Sequence, residues 1–292
     1  MSITATMVKE LRERTGAGMM ECKKALVATS GDVEAAIEAM RKSGQAKADK
    51  KAGRVAAEGM IVIEANNDAG VIVEINSETD FVAKDESFGK FAKAVATTAM
   101  NSKAEDVTAL TTEVIADGIT VDAARRELIA KLGENIGVRR MARIEGGDVI
   151  ASYLHGNRIG VLVALKGGDE VLGRDIAMHV AAANPVCVDA ADVPAELLEK
   201  EREIKLELAR ASGKTPEIME KMVAGQIRKF VNEITLTGQP FVKDPDQSVG
   251  KLLKSAGATI TAFIRYEVGE GIEKKEENFA EEVMKQVNAA DD

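Results

Sequence analysis

Apolar residues in the first forty positions recur at helical spacing in three runs. Ile3, Met7, Val8 and Leu11 make the first, which Gly16-Ala17-Gly18 closes. Met19, Cys22 and Leu26 fall at i, i+3, i+7 in the second. Thr29-Ser30-Gly31-Asp32 reads as a turn leading to an N-cap, and Val33, Ala36, Ile37 and Met40 form the third stripe. Three short helices predict a small bundle near the lower size limit for independent folding. Arg41 to Arg54 then carries six basic residues (Arg41, Lys42, Lys47, Lys50, Lys51, Arg54) against one acid, Asp49. A solvated linker or exposed helix is the simplest reading of that run, and a phosphate-binding arm is the alternative.

From Ala57 the period changes. Met60–Glu64 and Val71–Ile75 flank the turn cluster Asn66-Asn67-Asp68-Ala69-Gly70, which predicts a β-hairpin. A polar loop, 76–85, leads to a helix carrying Phe88, Phe91, Ala92 and Val95. Another helix, Val121–Leu132, stops at Gly133, and 135–144 reads as a strand. The pattern then repeats: Val149–Leu154 and Ile159–Leu165 flank a turn at 155–158, and a helix with Ile176, Ala177 and Val180 follows. Gly70-Val-Ile-Val echoes Gly160-Val-Leu-Val, and Ala92-x-x-Val95-Ala96 echoes Ala177-x-x-Val180-Ala181. Counted between those landmarks, the first copy is five residues longer, in the segment that holds Thr79-Asp80-Phe81.

Pro194 opens a helix to about Ala211 with Leu197, Ile204, Leu208 and Ala211 along one seam, and Gly213 closes it. Thr215-Pro216 starts the next helix, with Met219, Val223, Ile227, Phe230 and Ile234 at alternating four- and three-residue steps. Together they predict an antiparallel helical hairpin that projects from the body. Between Thr259 and Val268, Ile260, Ala262, Ile264 and Val268 alternate with Thr261, Phe263, Arg265 and Glu267, so a strand is expected there. The tail from Lys274 reads as an amphipathic helix with Phe279, Val283 and Val287 on one face.

Composition narrows the function. Trp is absent and aromatics are 3% of the chain, so the core must be aliphatic. The net charge of −9 argues against a general nucleic-acid binder, which needs excess Lys and Arg to neutralise phosphates. Cys22 and Cys187 suggest neither a disulfide framework nor a metal cluster. The N-terminus lacks the apolar region of a signal peptide, and no 18-residue apolar stretch could span a membrane, so a cytoplasmic protein is expected.

Signs of covalent catalysis are weak. His155 and His179 belong to different elements and to no metal-ligand spacing. Gly213-Lys214-Thr215 resembles the end of a phosphate loop, but Leu208 stands where the first glycine is required. The residue that stands out is Phe81, an aromatic in a polar loop and off every stripe. It is either an anchor folded back onto the core or an exposed apolar wedge of the kind around which binding hot spots form.

Several long stretches bear a family likeness. Val8-Lys-Glu-Leu-Arg-Glu-Arg-Thr-Gly-Ala-Gly-Met-Met20, Thr79-Asp-Phe-Val-Ala-Lys-Asp85, Gly133-Glu-Asn-Ile136, Leu236-Thr-Gly-Gln-Pro-Phe-Val242 and Phe263-Ile-Arg-Tyr-Glu-Val-Gly-Glu-Gly271 resemble elongation factor Ts, in order and over nearly the whole chain. The resemblance, with the patterns above, implies an α+β fold with five parts. They are a UBA-like three-helix bundle with its basic linker (1–54), two subdomains of a duplicated α/β core with antiparallel sheets (55–147, then 148–190 with 235–268), an inserted coiled-coil hairpin (191–234) and a C-terminal helical module (269–292). It also implies a guanine-nucleotide exchange factor for elongation factor Tu, in its GDP-bound and nucleotide-free forms, with no cofactor, no metal and no covalent chemistry of its own. Arg12, Met19 and Met20 are then expected to grip the GTPase domain. Asp80 and Phe81 would approach the magnesium side of the nucleotide pocket, with Thr79 and Val82 in the same partner contact and Leu132 and Gly133 beside it. His155 would face another domain of the partner, the C-terminal helix would return to the GTPase domain, and the hairpin would serve contacts between two copies. A ribosome- or RNA-associated module using 41–54 is the alternative.

Overall fold

The computed structural model describes residues 3–211 and 215–273, the side chains of 45–47 excepted. The expected C-terminal helix from Lys274 and the expected helix stop at Gly213 lie outside the described residues.

The bundle consists of α1 (Ala5–Thr15), α2 (Met19–Ala28) and α3 (Val33–Lys51). Thr4 and Asp32 cap α1 and α3 through their side chains, and Val8, Leu11, Cys22, Leu26 and Ala36 fill the interior. The third helix is not short. It runs through most of the basic segment, which is helical as far as Lys51. The i,i+4 pair Glu38–Lys42 supports it, and Gly44 is the only internal glycine.

Two three-stranded antiparallel sheets follow. The first has the order β1 (Glu58–Ala65), β2 (Ala69–Ser77), β3 (Gly137–Glu145). Between β2 and β3 the chain forms the single turn α4 (Asp80–Ala83), α5 (Glu86–Asn101), α6 (Val107–Thr112) and α7 (Val121–Leu132). The second sheet has the order β4 (Val149–His155), β5 (Ile159–Lys166), β8 (Thr259–Glu267). Its connection holds α8 (Glu170–Ala183), α9 (Ala195–Ala211), α10 (Pro216–Ile234), the small pair β6 (Pro240–Phe241) and β7 (Asp244–Ser248), and α11 (Val249–Ser255).

The repeat seen in the sequence is a repeat of geometry. Each sheet is a hairpin whose second strand pairs with a later third strand, and each bulges once, between Glu74 and Ile75 and between Ala164 and Leu165. Those two sites are equivalent once Gly70 is laid on Gly160. The bulges reverse which face a side chain takes. Ile260 therefore packs toward α8 with Phe263, while Ala262 and Ile264 face the other sheet. The simple alternation expected for β8 breaks at Thr261.

The sheets pack face to face through Ile61, Ile72, Ile144, Leu162, Ala164 and Val268. Helix α5, with α7 and Ala48 of α3, covers the outer face of the first sheet, and α8 covers the second. Two glycines allow the close approach. A Cβ at Gly70 would lie 2.8 Å from Leu162 and 3.2 Å from Ile150, and one at Gly160 would lie 2.4 Å from Ile61 and 3.0 Å from Ile72. The partners of the two glycines are themselves equivalent, so the contact has a pseudo-twofold. Ile61 and Ile72 are fully buried and have nowhere to swing. Gly160→Ala is expected to destabilise by about 1–3 kcal/mol through overpacking, read as a lower urea midpoint with unchanged slope. An unchanged midpoint would mean the sheets can separate freely.

α9 and α10 pack on one another as a helical hairpin. The α10 stripe is the expected one, with Val223 buried and Met219, Ile227, Phe230 and Ile234 half-buried. The α9 seam differs. Ala209 is buried with Leu206 beside it, while Ile204 and Leu208 face outward. At the base of the hairpin, Val186, Leu236 and Thr237 N–H donate to the carbonyls of Ile234, Cys187 and Val188. The buried His179 locks this base to α8. Val242 N–H donates to its Nδ1 (3.1 Å), so Nε2 carries the proton and donates to Gln239 Oε1 (3.0 Å). Burial pushes the imidazole below its usual value, opposed by the Gln239 bond. The neutral ring is the folded form, so its stabilising effect is full above about pH 6.5 and fades as pH falls below that. His179→Gln is expected to flatten this part of the stability–pH curve, measured by urea melts between pH 7 and 5.

Candidate partner-binding face

The longer connection of the first copy builds the site. Between strand and helix it has eight residues, 78–85, where the second copy has three, 167–169. Both helices begin on an aspartate cap, Asp85 for α5 and Asp169 for α8. The additional residues therefore lie ahead of the cap, and four of them, Asp80–Ala83, form α4.

This turn is fixed at both ends. Ser77 Oγ donates to the Thr79 carbonyl (2.9 Å), and Thr79 Oγ1 accepts from Val82 N–H (3.4 Å) as the N-cap of α4. Asp85 N–H closes the turn on the Val82 carbonyl (3.0 Å), and Asp85 Oδ1 then accepts from Ser87 N–H (2.7 Å). Val82 and Ala83 pack against the core of the first copy. With those two facing inward, a single helical turn must point Phe81 outward, and the residue is 81% exposed. The anchor reading of Phe81 thus fails, and Val82 is the anchor. Asp80 pairs with Lys84 at 2.6 Å, and that contact holds its carboxyl below the usual range.

The other expected residues lie on elements that meet this turn. Gly133 ends α7 in the left-handed conformation, its N–H donating to the Ile129 carbonyl (2.9 Å), and Leu132 packs on the core beside it. Glu134, the next residue, bonds directly to Thr79. The α1–α2 corner abuts the end of α7, because a Cβ at Gly16 would lie 3.4 Å from Lys131 Cε. Lys131 in turn donates to Ser87 Oγ (2.6 Å), just past the turn. On that corner Met19 and Met20 are 50% and 66% exposed, and Arg12 is exposed on α1. Two large apolar side chains are thus left in water at this corner.

His155 sits at the end of β4 with Tyr153 Oη 3.4 Å from its Nδ1. The turn that follows it lies along the edge of β1, where Ile61 N–H donates to the Asn157 carbonyl (2.8 Å) and Arg158 pairs with Glu58 (2.7 Å). Asn157 and the residues Ala83, Lys84 and Asp85 line one shallow groove. The turn after His155 and the end of the Phe81 connection thus border one groove. Among the described residues, no helix is long and apolar enough to cross a membrane.

The family model described as elongation factor TS matches residues 78–270, starting at the first residue of the Phe81 connection. The chain belongs to the elongation factor Ts family. Elongation factor Ts of Thioalkalivibrio sulfidiphilus is 62% identical over 99% of this chain and 100% of its own length. That of Methylococcus capsulatus is 63% identical over 99% and 100%, and that of Legionella pneumophila (strain Paris) 58% identical over 98% and 99%. Translation elongation is therefore the setting in which this face is to be read.

Two residues that bear on the face escaped the sequence reading. Glu78 and Glu134 sit in loops with no periodicity, 56 positions apart. Glu134 lay inside the family-like stretch Gly133-Glu-Asn-Ile136 and Glu78 inside the polar loop, but nothing in the sequence paired them across the two loops.

Proposed function

We propose that the chain is a cytoplasmic guanine-nucleotide exchange factor for elongation factor Tu. It binds the GDP complex, disturbs the magnesium and phosphate site, and holds the emptied partner until GTP enters. The observation that carries this reading is Phe81, an exposed aromatic on a turn clamped from both sides, in a chain of the elongation factor Ts family. In this scheme Arg12, Met19 and Met20 of the bundle (1–54) grip the GTPase domain. Asp80 and Phe81 approach the magnesium side of the pocket, with Thr79 in the same contact, Val82 anchoring the turn and Leu132 and Gly133 alongside. His155 faces another domain of the partner, and 269–292 returns to the GTPase domain. The hairpin (191–234) serves contacts between copies.

No bond need be made or broken. Magnesium demands near-ideal octahedral geometry, so a small displacement of its ligands loses much affinity. A ring that fits only the displaced arrangement binds that state better and shifts the population toward it. Linkage then requires symmetry: whatever factor the chain takes from GDP affinity, GDP takes from the affinity of the chain. Titration calorimetry of the chain into elongation factor Tu, with and without saturating GDP, is expected to give that same factor. Equal affinity in the two titrations would rule out exchange by this route.

The RNA alternative has no observation in its favour. Four of the six basic side chains of 41–54 are engaged within the chain: Arg41 with Glu127 (3.1 Å), Lys42 with Glu38 (2.7 Å), Lys51 with the Gly133 carbonyl and Arg54 with Glu78 (3.5 Å).

A further inference from the structure

The Phe81 turn is held by a pair of bonds that neither strand pairing nor core packing requires. Glu134, in the loop after α7, accepts from Thr79 twice, from the backbone N–H on Oε2 (3.0 Å) and from the hydroxyl on Oε1 (2.6 Å). One residue along on each loop the exchange reverses, and Glu78 Oε1 accepts from Asn135 N–H (2.6 Å). Each loop gives a carboxylate and receives one on its backbone. Bonds to charged acceptors at these distances are the strong kind. Because the Thr79 hydroxyl donates to Glu134, its lone pairs are left for Val82 N–H, so Glu134 also sets the cap of α4.

The end of the bundle enters the same knot. Asn135 Nδ2 donates to the Arg54 carbonyl (2.7 Å), and the Arg54 guanidinium lies 3.5 Å from both Glu78 oxygens. Lys51 donates to the Gly133 carbonyl. The last turn of α3, the end of α7 and the Phe81 turn therefore share one small cluster of polar bonds.

We propose that Glu134, with Glu78, is a positioning residue for exchange: this carboxylate clasp holds the Phe81 turn in one orientation and ties it to the bundle. The proposal rests on Phe81 being the contact that drives exchange. Without the clasp, Val82 and Ala83 still anchor the turn to the core, so the fold survives while α4 samples several orientations. The apparent affinity for the partner then falls by the fraction of time the ring is correctly aimed, roughly 5- to 10-fold if a handful of orientations compete.

The test is a double-mutant cycle on the full chain, with GDP release from elongation factor Tu as the rate. Phe81→Ala and Glu134→Ala are each expected to slow release. In the Phe81→Ala background, Glu134→Ala is expected to add less than a twofold further loss, because a clasp acting only through the ring has nothing left to aim. Glu134→Gln keeps one acceptor oxygen for the Thr79 hydroxyl and is expected to recover part of the rate. Where Phe81→Ala is slow, Glu134→Ala releasing GDP as fast as the parent, or multiplying in full with Phe81→Ala, would overturn the proposal. Amide hydrogen exchange at 79–83 separates the two ideas. Faster exchange there in Glu134→Ala supports the clasp even if Phe81→Ala is silent, in which case the reading of the ring has failed. Unchanged amide exchange sinks the clasp whatever the ring does. Glu134→Gln, which keeps the size of the side chain and one acceptor oxygen, gives a graded version of the same amide-exchange readout should Glu134→Ala not fold. Faster exchange at 79–83 than in the parent supports the clasp, and unchanged exchange sinks it.

Discussion

Phe81→Ala is expected to slow nucleotide exchange about 30-fold, the consequence of losing roughly 2 kcal/mol at a central apolar anchor. The same change should leave the free protein intact. The ring is exposed and fills no cavity, so its removal should move stability by no more than about 0.5 kcal/mol. Phe88, seven residues on, is fully buried in α5. Phe88→Ala is the opposite case and should cost about 3–5 kcal/mol of stability. Comparing the two variants isolates a contact from a core position. Exchange rates of elongation factor Tu with each variant, read beside their urea midpoints, give the check. A Phe81→Ala protein that is fully active at parental stability contradicts the wedge.

Glu74→Ala is expected to be the most damaging polar substitution, at about 3 kcal/mol of stability. Glu74 is on the inner face of β2, at the end of the sheet-to-sheet contact, where its equivalent in the second copy is the apolar Ala164. It is completely buried, and it accepts from Arg140 (2.5 Å), Arg139 (3.0 Å), Asn76 (3.0 Å) and the backbone N–H of Gly269 (2.8 Å). Arg139 and Arg140 reach on to the carbonyls of Glu270 and Glu267. One carboxylate thus ties the first sheet to the chain leaving β8. Removing it strands four donors, two of them cations that are only about a quarter exposed. Burial pushes the carboxyl up, but the bonds from Gly269, Asn76, Arg140 and Arg139 outweigh it and hold the group below its usual value near 4.5. A depressed carboxylate contributes its stability above the unfolded value and loses it as pH falls toward the folded one. The parent should therefore lose stability below about pH 4.5 more steeply than Glu74→Gln does. Parallel acid limbs in the two melting series would show that the charge is not what matters.

Local periodicity carried most of the fold into view. The two hairpins, α7 with its Gly133 stop and the Thr215-Pro216 start of α10 could all be read from spacing and cap chemistry. The five-residue excess before α5 could be read as well, because an excess shows as soon as two copies are aligned. What periodicity could not show was anything settled between distant segments. The bulge that turns Ile260 to the other face depends on pairing with β5, and α9 chose Ala209 over Ile204 and Leu208 because of what α10 presents. The basic run read as a solvated linker or exposed helix, because its charges look free until Glu127, Glu78 and Gly133 are placed opposite them. The pair β6 and β7 has two prolines, Pro240 and Pro245, and no alternation to notice. At the site, Phe81 could be picked out because it lay off every stripe. The Glu78 and Glu134 clasp joins two aperiodic loops and needed the fold.

The measurement that bears most directly on the central claim is release of a fluorescent GDP analogue from elongation factor Tu, followed by stopped flow. The chain is added at a small fraction of the partner's concentration. The account predicts a large acceleration that turns over many partner molecules and is lost when Asp80→Ala and Phe81→Ala are combined in a folded protein. No acceleration by the folded parent, or full acceleration by the double variant, would contradict it.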